Sequence, residues 1–336
     1  MAAPRPTIKD VALRAGVSKS TVSKYLNGAP YVSDEAVVRI EAAIRELQFV
    51  PSSLARGLVT RQSRTIGVVI NNIANPFFAE LVDAVEIVAQ EHGYDVVTMS
   101  TRNDPERRAW ALRRIRAQRV DAIIDATSQE APDPGSSGQP VVWVNSTALK
   151  GAQYVVVDNF RGGWLAAEHL LGLGHRALGV IHGPRYRPVF RERVEGFLAC
   201  LDEQGVPVNP RWLRETHGGT QAEAAQAMEH LLLLPDTPTA VFGTSDFICL
   251  GAMQTALGRG WKVPEDLSLV GFDNIPFGAS MPVPLTTVDG CTRTMGELAA
   301  RALIEQMGGG ATAVHTVLAP SLVVRASTGR PRGAAL

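Results

Sequence analysis

Between Ile66 and Val323, short β-branched runs alternate with longer stretches whose apolar residues recur every three or four positions. The short runs predict strands over 66–71, 95–99, 120–125, 141–145, 154–157, 178–182, 239–243 and 268–272. The longer stretches predict helices over 76–92, 105–118, 160–173, 190–204, 221–234, 246–258 and 293–307. Pro76 and Pro105, behind the capping residues Asn75 and Asp104, open two of these helices at the favoured first position. Alternating β and α predicts parallel sheets with helices on both faces. About 260 residues is generous for one such sheet, so two α/β lobes with a cleft between them are expected.

Ahead of this body the period is purely helical. Thr7-Ile-Lys-Asp10 has the form of a capping box, and Ile8, Val11, Ala12 and Ala15 then share one face. Gly16 interrupts, and Ser18 caps a second helix from Lys19 to about Asn27 with Val22 and Tyr25 inward, which Gly28-Ala-Pro30 ends. A third helix after Ser33 carries Asp34 and Glu35 at its positive end and is expected to bury Val37, Ile40, Ile44 and Leu47. Helix, glycine-containing turn, helix is the helix-turn-helix plan; a small residue at Ala12 lets the second helix cross over the first.

Charge sharpens this division. Net charge is zero over the 336 residues, but residues 1–64 hold ten Lys+Arg against five Asp+Glu, leaving 23 against 28 in the rest. A basic head on an acidic body points to a polyanionic partner for the head. The three cysteines, Cys200, Cys249 and Cys291, are odd in number and widely spaced, as reduced structural thiols would be. No apolar h-region follows Met1 and no stretch approaches a membrane span, so a cytoplasmic chain without membrane contact is expected.

The motifs Thr7-Ile-Lys-Asp-Val-Ala, Ala15-Gly-Val-Ser, Ser20-Thr-Val-Ser and Leu26-Asn-Gly28 closely resemble the N-terminal signature of the LacI/GalR family of bacterial transcriptional regulators. The likeness continues through Ile44-x-x-Leu47 and Pro51-x-x-x-Ala55-Arg56-x-Leu58 into Ile66-Gly-Val-Val-Ile70. It implies that a homodimer binds double-stranded operator DNA, with the second helix in the major groove. Lys19, Ser20 and Lys24 would then present side chains to base edges, and Thr21 and Ser23 would hold phosphate or anchor the helix. Thr7, Ser18 and Asn27 complete the expected DNA-binding set. Lysine suits guanine O6/N7, whereas two lysines touching only phosphate would give affinity without sequence choice. In residues 51–58 the resemblance implies a hinge helix with Leu58 wedged into the minor groove, Ala55 beside it and Arg56 near phosphate. So short a helix is marginal alone, and Gly57 weakens it further, which fits either a hinge ordered by DNA or a plain linker.

The body resembles the same family at Asn75-Pro-Phe-Phe78, Asp104-Pro-Glu106, Val157-Asp-Asn159, Gly174-His-Arg176, Arg193-x-x-Gly-Phe197, Gly271-Phe-Asp-Asn274 and Leu285-Thr-Thr287, among others. The implied fold class is α/β: a three-helix helix-turn-helix head (1–50), a hinge helix and linker (51–64), and a two-lobed periplasmic-binding-protein-like body (65–330) before a short tail (331–336). Lobe 1 would comprise about 65–160 and 290–319, lobe 2 about 161–289 and 320–330. The chain would cross between lobes near 159–162, 288–292 and 318–321. Effector contacts are implied for Phe77, Phe78, Asn145, Phe160, Arg193, Asp246 and Asp273, with Asn145 standing where the family usually has aspartate. Asp246 reads equally as a helix N-cap and the phenylalanines as plain core. Guanidinium, carboxylate and aromatic faces together suit a sugar, a nucleobase or an acidic metabolite. The arginines of the loop from Gly183 (Arg185, Arg187, Arg191) suit either a solvated face or an anionic effector. The segment 131–140 is turn-rich where the family has a short helix. Helices 76–92 and 249–258, with 276–284, form the implied dimer surface, and no leucine heptad tail follows.

No cofactor, metal site or catalytic residue is expected. Gly172-Leu-Gly174-His-Arg-Ala177 mimics a dinucleotide fingerprint but follows a helix and precedes a strand, the reverse of the order that cradles pyrophosphate. The seven histidines show no ligand spacing, and no nucleophile elbow appears. The function this supports is repression of transcription, with operator affinity set by a small molecule in the cleft. A regulator of this fold governed by a protein partner, and a sugar-binding protein without a DNA role, are the other readings.

Overall fold

The computed structural model describes residues 6–26, 31–49, 63–127, 139–147, 151–310 and 313–332. Asn27, Ala55, Arg56, Gly57, Leu58 and the turn-rich 131–138 lie outside them. The chain divides into two compact units, Met1–Ser63 and Arg64–Leu336.

The first unit holds α1 (Ile8–Ala15), α2 (Lys19–Leu26) and α3 (Asp34–Leu47). Gly16 ends α1 at φ 64°, the left-handed turn that only glycine takes without strain, and its N–H caps the helix on Ala12 and Leu13 carbonyls. Val11, Ala12, Ala15, Val22, Ile40, Ala43 and Phe49 form the core. Arg14 on α1 bonds Glu46 on α3 at 2.7 Å, and the Tyr25 hydroxyl donates to Glu41 at 2.9 Å, so both other helices are tied to α3. The apolar stripe of α3 differs from the expected one. Ala36, Ile40 and Ala43 are fully buried, while Val37, Ile44 and Leu47 are half-buried. Small side chains at 36 and 43 let the helices approach closely, which turns the larger residues toward the rim.

The second unit contains two six-stranded sheets. The first has the order β11-β5-β4-β3-β1-β2, with β1 Thr65–Ile70, β2 Asp95–Ser100, β3 Ala122–Ala126, β4 Val141–Val144, β5 Gln153–Val157 and β11 His315–Leu318. Every pairing in it is parallel, starting from Thr65 opposite Asp95. Its helices are α4 (Pro76–Glu91), α5 (Pro105–Ala117) and α10 (Thr292–Met307). The second sheet has the order β12-β10-β9-β8-β6-β7: β6 Leu178–His182, β7 Leu213–Glu215, β8 Ala240–Gly243, β9 Ser268–Phe272, β10 Thr286–Asp289 and β12 Ser321–Val323. It too is parallel except where β12 closes antiparallel on β10. Its helices are α6 (Asn159–Gly172), α7 (Pro188–Glu203), α8 (Gln221–Leu232) and α9 (Asp246–Gly258).

Asn75 and Asp104 do cap α4 and α5, accepting from Phe77 and Glu106 N–H, with proline first in each helix. Strands β7, β10, β11 and β12 carry no sequence signal of their own. They run three or four residues, and β10 reads Thr-Thr-Val-Asp. The chain passes from the first sheet to the second after β5, returns after β10 and leaves again after β11. Three strands of chain therefore join the lobes, and the carboxyl ends of the parallel strands line the space between them. Helices α6 and α7 cross in close contact, with Gly163 against the Arg193 carbonyl and Gly196 against the Phe160 carbonyl.

Candidate functional site

In the first unit α2 fully buries only Val22. Its first turn is held by Ser18, whose Oγ accepts from the Thr21 N–H at 3.0 Å and meets Thr21 Oγ1 at 2.8 Å. Thr21 and Ser23 are half-buried by this packing, while Lys19, Ser20 and Lys24 stand out into solvent. Ser20 and Lys24 are four residues apart and share one face of the helix. Thr7 is engaged locally, both its N–H and its hydroxyl donating to Asp10 Oδ2 at 2.7 Å.

In the second unit a cavity lies between the lobes. Lobe 1 contributes Asn71, Asn72, Asn75, Phe77, Phe78, Asn103 and Asn145; lobe 2 contributes Arg187, Val189, Phe190, Arg193, Gly218, Gly219, Ser245, Phe247 and Asp273. The Asn103 amide donates to the Gly218 carbonyl at 3.1 Å, a direct link across the cavity.

Arg193 and Asp273 are the charged centre. Arg193 is 3% exposed; Nε donates to Asn159 Oδ1 at 2.9 Å, and Nη1 to the Thr244 carbonyl at 2.7 Å and to Asp273 Oδ1 at 3.1 Å. Its guanidinium lies 3.5 Å from the Phe272 ring centroid. Burial pushes the Asp273 carboxyl up to about 6, against the opposing pull of Arg193. Burial likewise lowers the Arg193 pKa. Asp273 has φ 113°, Asn274 φ 57° and Asn145 φ 49°. Strained backbone just past β9 and β4 thus carries Asp273 and Asn145, which line the cavity, while Asn274 bonds Asp289 and Arg325 instead.

Phe77 and Phe78, edge to face at 5.0 Å, are a buried wall of the cavity. Asn145, on β4's carboxyl end, donates to the Ala126 carbonyl at 3.3 Å. Two expected contacts lie elsewhere. The N-cap of α9 is Ser245, which accepts from Ile248 N–H, and not Asp246. Asp246 is fully buried behind the cavity, where Oδ2 accepts from Ile275 N–H at 2.9 Å and Oδ1 from the Thr287 hydroxyl. Burial, with Asp273 nearby, holds its carboxyl well above the ordinary range. It anchors the loop carrying Asp273. Phe160 is 43% exposed beside Trp164 and does not line the cavity.

The sequence did not single out Asn71, Asn72, Asn103, Phe190 or Phe247, which line the cavity from loops and first helical turns. The strand ends of an α/β sheet are where such contacts gather, and that was the available signal. Of the three loop arginines, Arg185 and Arg191 are solvated and lie 4.0 Å from Glu195, whereas Arg187 is buried in the cavity wall. Among the described residues no group of His, Cys, Asp and Glu side chains is placed to hold a metal ion.

A helix-turn-helix unit followed by a two-lobed body with a charged interlobe cavity defines a DNA-binding regulator of transcription rather than an enzyme. Comparison with known proteins is specific. Residues 7–52 match the model for bacterial regulatory proteins of the lacI family, and residues 167–328 a periplasmic binding protein-like domain. The chain is 34% identical to the HTH-type transcriptional repressor PurR of Mannheimia succiniciproducens, covering 96% of this chain and 98% of that one. It is 32% identical to the ribose operon repressor of Haemophilus influenzae, with the same coverage. Among solved structures, the lac repressor dimer bound to operator and the anti-inducer ONPF superposes with a TM-score of 0.85 at 28% identity, covering 97% of this chain and all of that one. The chain belongs to the LacI family of bacterial transcriptional regulators.

Proposed function

We propose that the chain is a repressor that binds a near-palindromic operator as a homodimer, and that a small hydroxylated metabolite in the interlobe cavity sets its operator affinity. The carrying observation is the cavity itself: both lobes line it, so a ligand there has a different contact set in each lobe arrangement, which population shift requires. A coupling of about 1–3 kcal/mol is typical of such linkage. Five asparagines, which both donate and accept, suit hydroxyl groups, and Phe77 and Phe78 suit the apolar face of a ring. The operator-bound dimer of the lac repressor supports the homodimer, and a family member from Enterococcus faecium with bound ribose (TM-score 0.71, 28% identity, covering 79% of this chain and 98% of that one) supports the ligand class. Among the described residues no helix is long and apolar enough to cross a membrane. The chain would act in the cytoplasm, where operator DNA is found.

Base reading is assigned to Lys19, Ser20 and Lys24, and support at phosphate to Thr21 and Ser23. Thr7, Ser18, Asn27 and the 51–58 segment (Ala55, Arg56, Leu58) would complete the DNA contact. Selection of bound duplexes from a random pool should return a near-palindrome for the wild type. For Lys24→Ala the same selection should relax one position in each half-site, with a loss of about 1–3 kcal/mol on the wild-type operator. A uniform loss on all sequences would assign Lys24 to phosphate, and no selected sequence at all would refute the DNA-binding proposal.

A further inference from the structure

Arg187 sits immediately before α7 and lines the interlobe cavity. It is 2% exposed, and its Nε and Nη2 have no hydrogen-bond partner. The contrast with Arg193 is sharp. That guanidinium gives its Nε and Nη1 protons to protein oxygens and has Asp273 as counter-ion. Among the described residues no carboxylate lies within ion-pair distance of Arg187. The Tyr186 side chain interacts with the guanidinium, its ring centroid 5.7 Å away, and Glu223, whose weaker influence is felt there, spends its oxygens on the Gly218 and Thr220 N–H groups. Counting the lining residues, Arg187 and Arg193 face Asp273 alone, so the cavity wall carries one uncompensated positive charge.

A buried cation without a counter-ion is costly, and proteins keep one where something else supplies the anion. The two unsatisfied groups also have a shape. Nε–H and Nη2–H lie parallel along one edge of the planar guanidinium, the spacing that two oxygens of a carboxylate or phosphate match. Around it the cavity offers amides, and Asn71 Oδ1 is itself buried without a donor.

We infer that the effector is an anionic, hydroxylated metabolite, a sugar acid or sugar phosphate, whose two-oxygen group is held edge-on by Arg187. This rests on the reading of the cavity as the effector site.

Calorimetric titration of the full-length protein with ribose, ribonate, ribose 5-phosphate, glucose, gluconate and glucose 6-phosphate tests it. At least one anion should bind about tenfold or more tightly than the neutral aldose of the same skeleton, or about 1.4 kcal/mol. Whether carboxylate or phosphate wins identifies the anion. Arg187→Met should abolish the preference, and Arg187→Lys, which keeps the charge without the fork, should keep part of it. Without ligand, Arg187→Met should melt about 2 °C or more above wild type, because an unpaired buried charge is gone. A neutral aldose binding as tightly as its anions, or a preference that survives Arg187→Met, overturns the inference and leaves the cavity as effector site. Binding by none of the six overturns the inference and counts against the cavity reading as well. A lower melting temperature in ligand-free Arg187→Met also counts against it.

Discussion

Arg193→Met is expected to destabilise the body by about 3–5 kcal/mol at pH 8, the cost of breaking a buried ion pair, and by much less at pH 5. Methionine keeps most of the volume, so the loss is electrostatic and not a cavity effect. What remains is Asp273, 5% exposed, with the buried Asp246 behind it. Even beside Arg193 the Asp273 carboxyl titrates at about 6, above its ordinary 3.8. A carboxyl raised in the folded state favours folding when protonated: that stability is complete below about pH 4 and is lost as pH rises through 6. Removing the guanidinium raises the folded value further and extends the loss upward in pH. Urea midpoints of wild type and variant at pH 5 and pH 8 measure the difference. Adding Asp273→Asn to the variant should restore most of the midpoint at pH 8. An equal deficit at both pH values would mean that Arg193 acts through packing alone.

The parts of this molecule that were legible in the sequence are those whose causes are local. Gly16 must turn left-handed, Ser18 must cap, and Ala12 and Val22 must meet, all within sixteen residues. The alternation of β-branched runs with amphipathic helices likewise points to parallel pairing within each lobe, because βαβ units fold back on themselves in one hand. Strands β10, β11 and β12 were not legible because they are made by the chain's return between lobes, and Thr286 and Thr287 are buried by that crossing, not by any apolar pattern. Asp246 and Ser245 are both capping residue types at neighbouring positions, and only the backbone turn decides which one caps. Arg187 is the instructive case. In a loop written Pro-Arg-Tyr-Arg-Pro it looks the same as Arg185, yet one is solvated and the other is 2% exposed. Arg187 faces the interlobe cavity and Arg185 does not line it, and no spacing along the chain encodes that difference.

The cavity also depends on two helices being closer than side chains ordinarily allow, and Gly163→Ala is expected to show it with a loss of about 3 kcal/mol, the upper range for overpacking. A Cβ at Gly163 would fall inside van der Waals contact with the Arg193 carbonyl, and one at Gly196 with the Phe160 carbonyl. The obstacles are backbone, which cannot rotate aside, so α6 and α7 must separate. Gly172, the last residue of the same helix, has nothing within 4 Å, and alanine there should be neutral or stabilising by up to about 1 kcal/mol. The pair of variants therefore separates helix propensity from close approach. Because Gly163 touches the backbone of Arg193 itself, separation moves the guanidinium relative to Asp273 and Asn159 as well. Gly163→Ala should consequently lose ligand affinity under conditions where it is still folded, while Gly172→Ala binds as wild type does. Equal urea midpoints for the two alanine variants would show that the crossing of α6 and α7 tolerates a wider gap and that the position of Arg193 is set elsewhere.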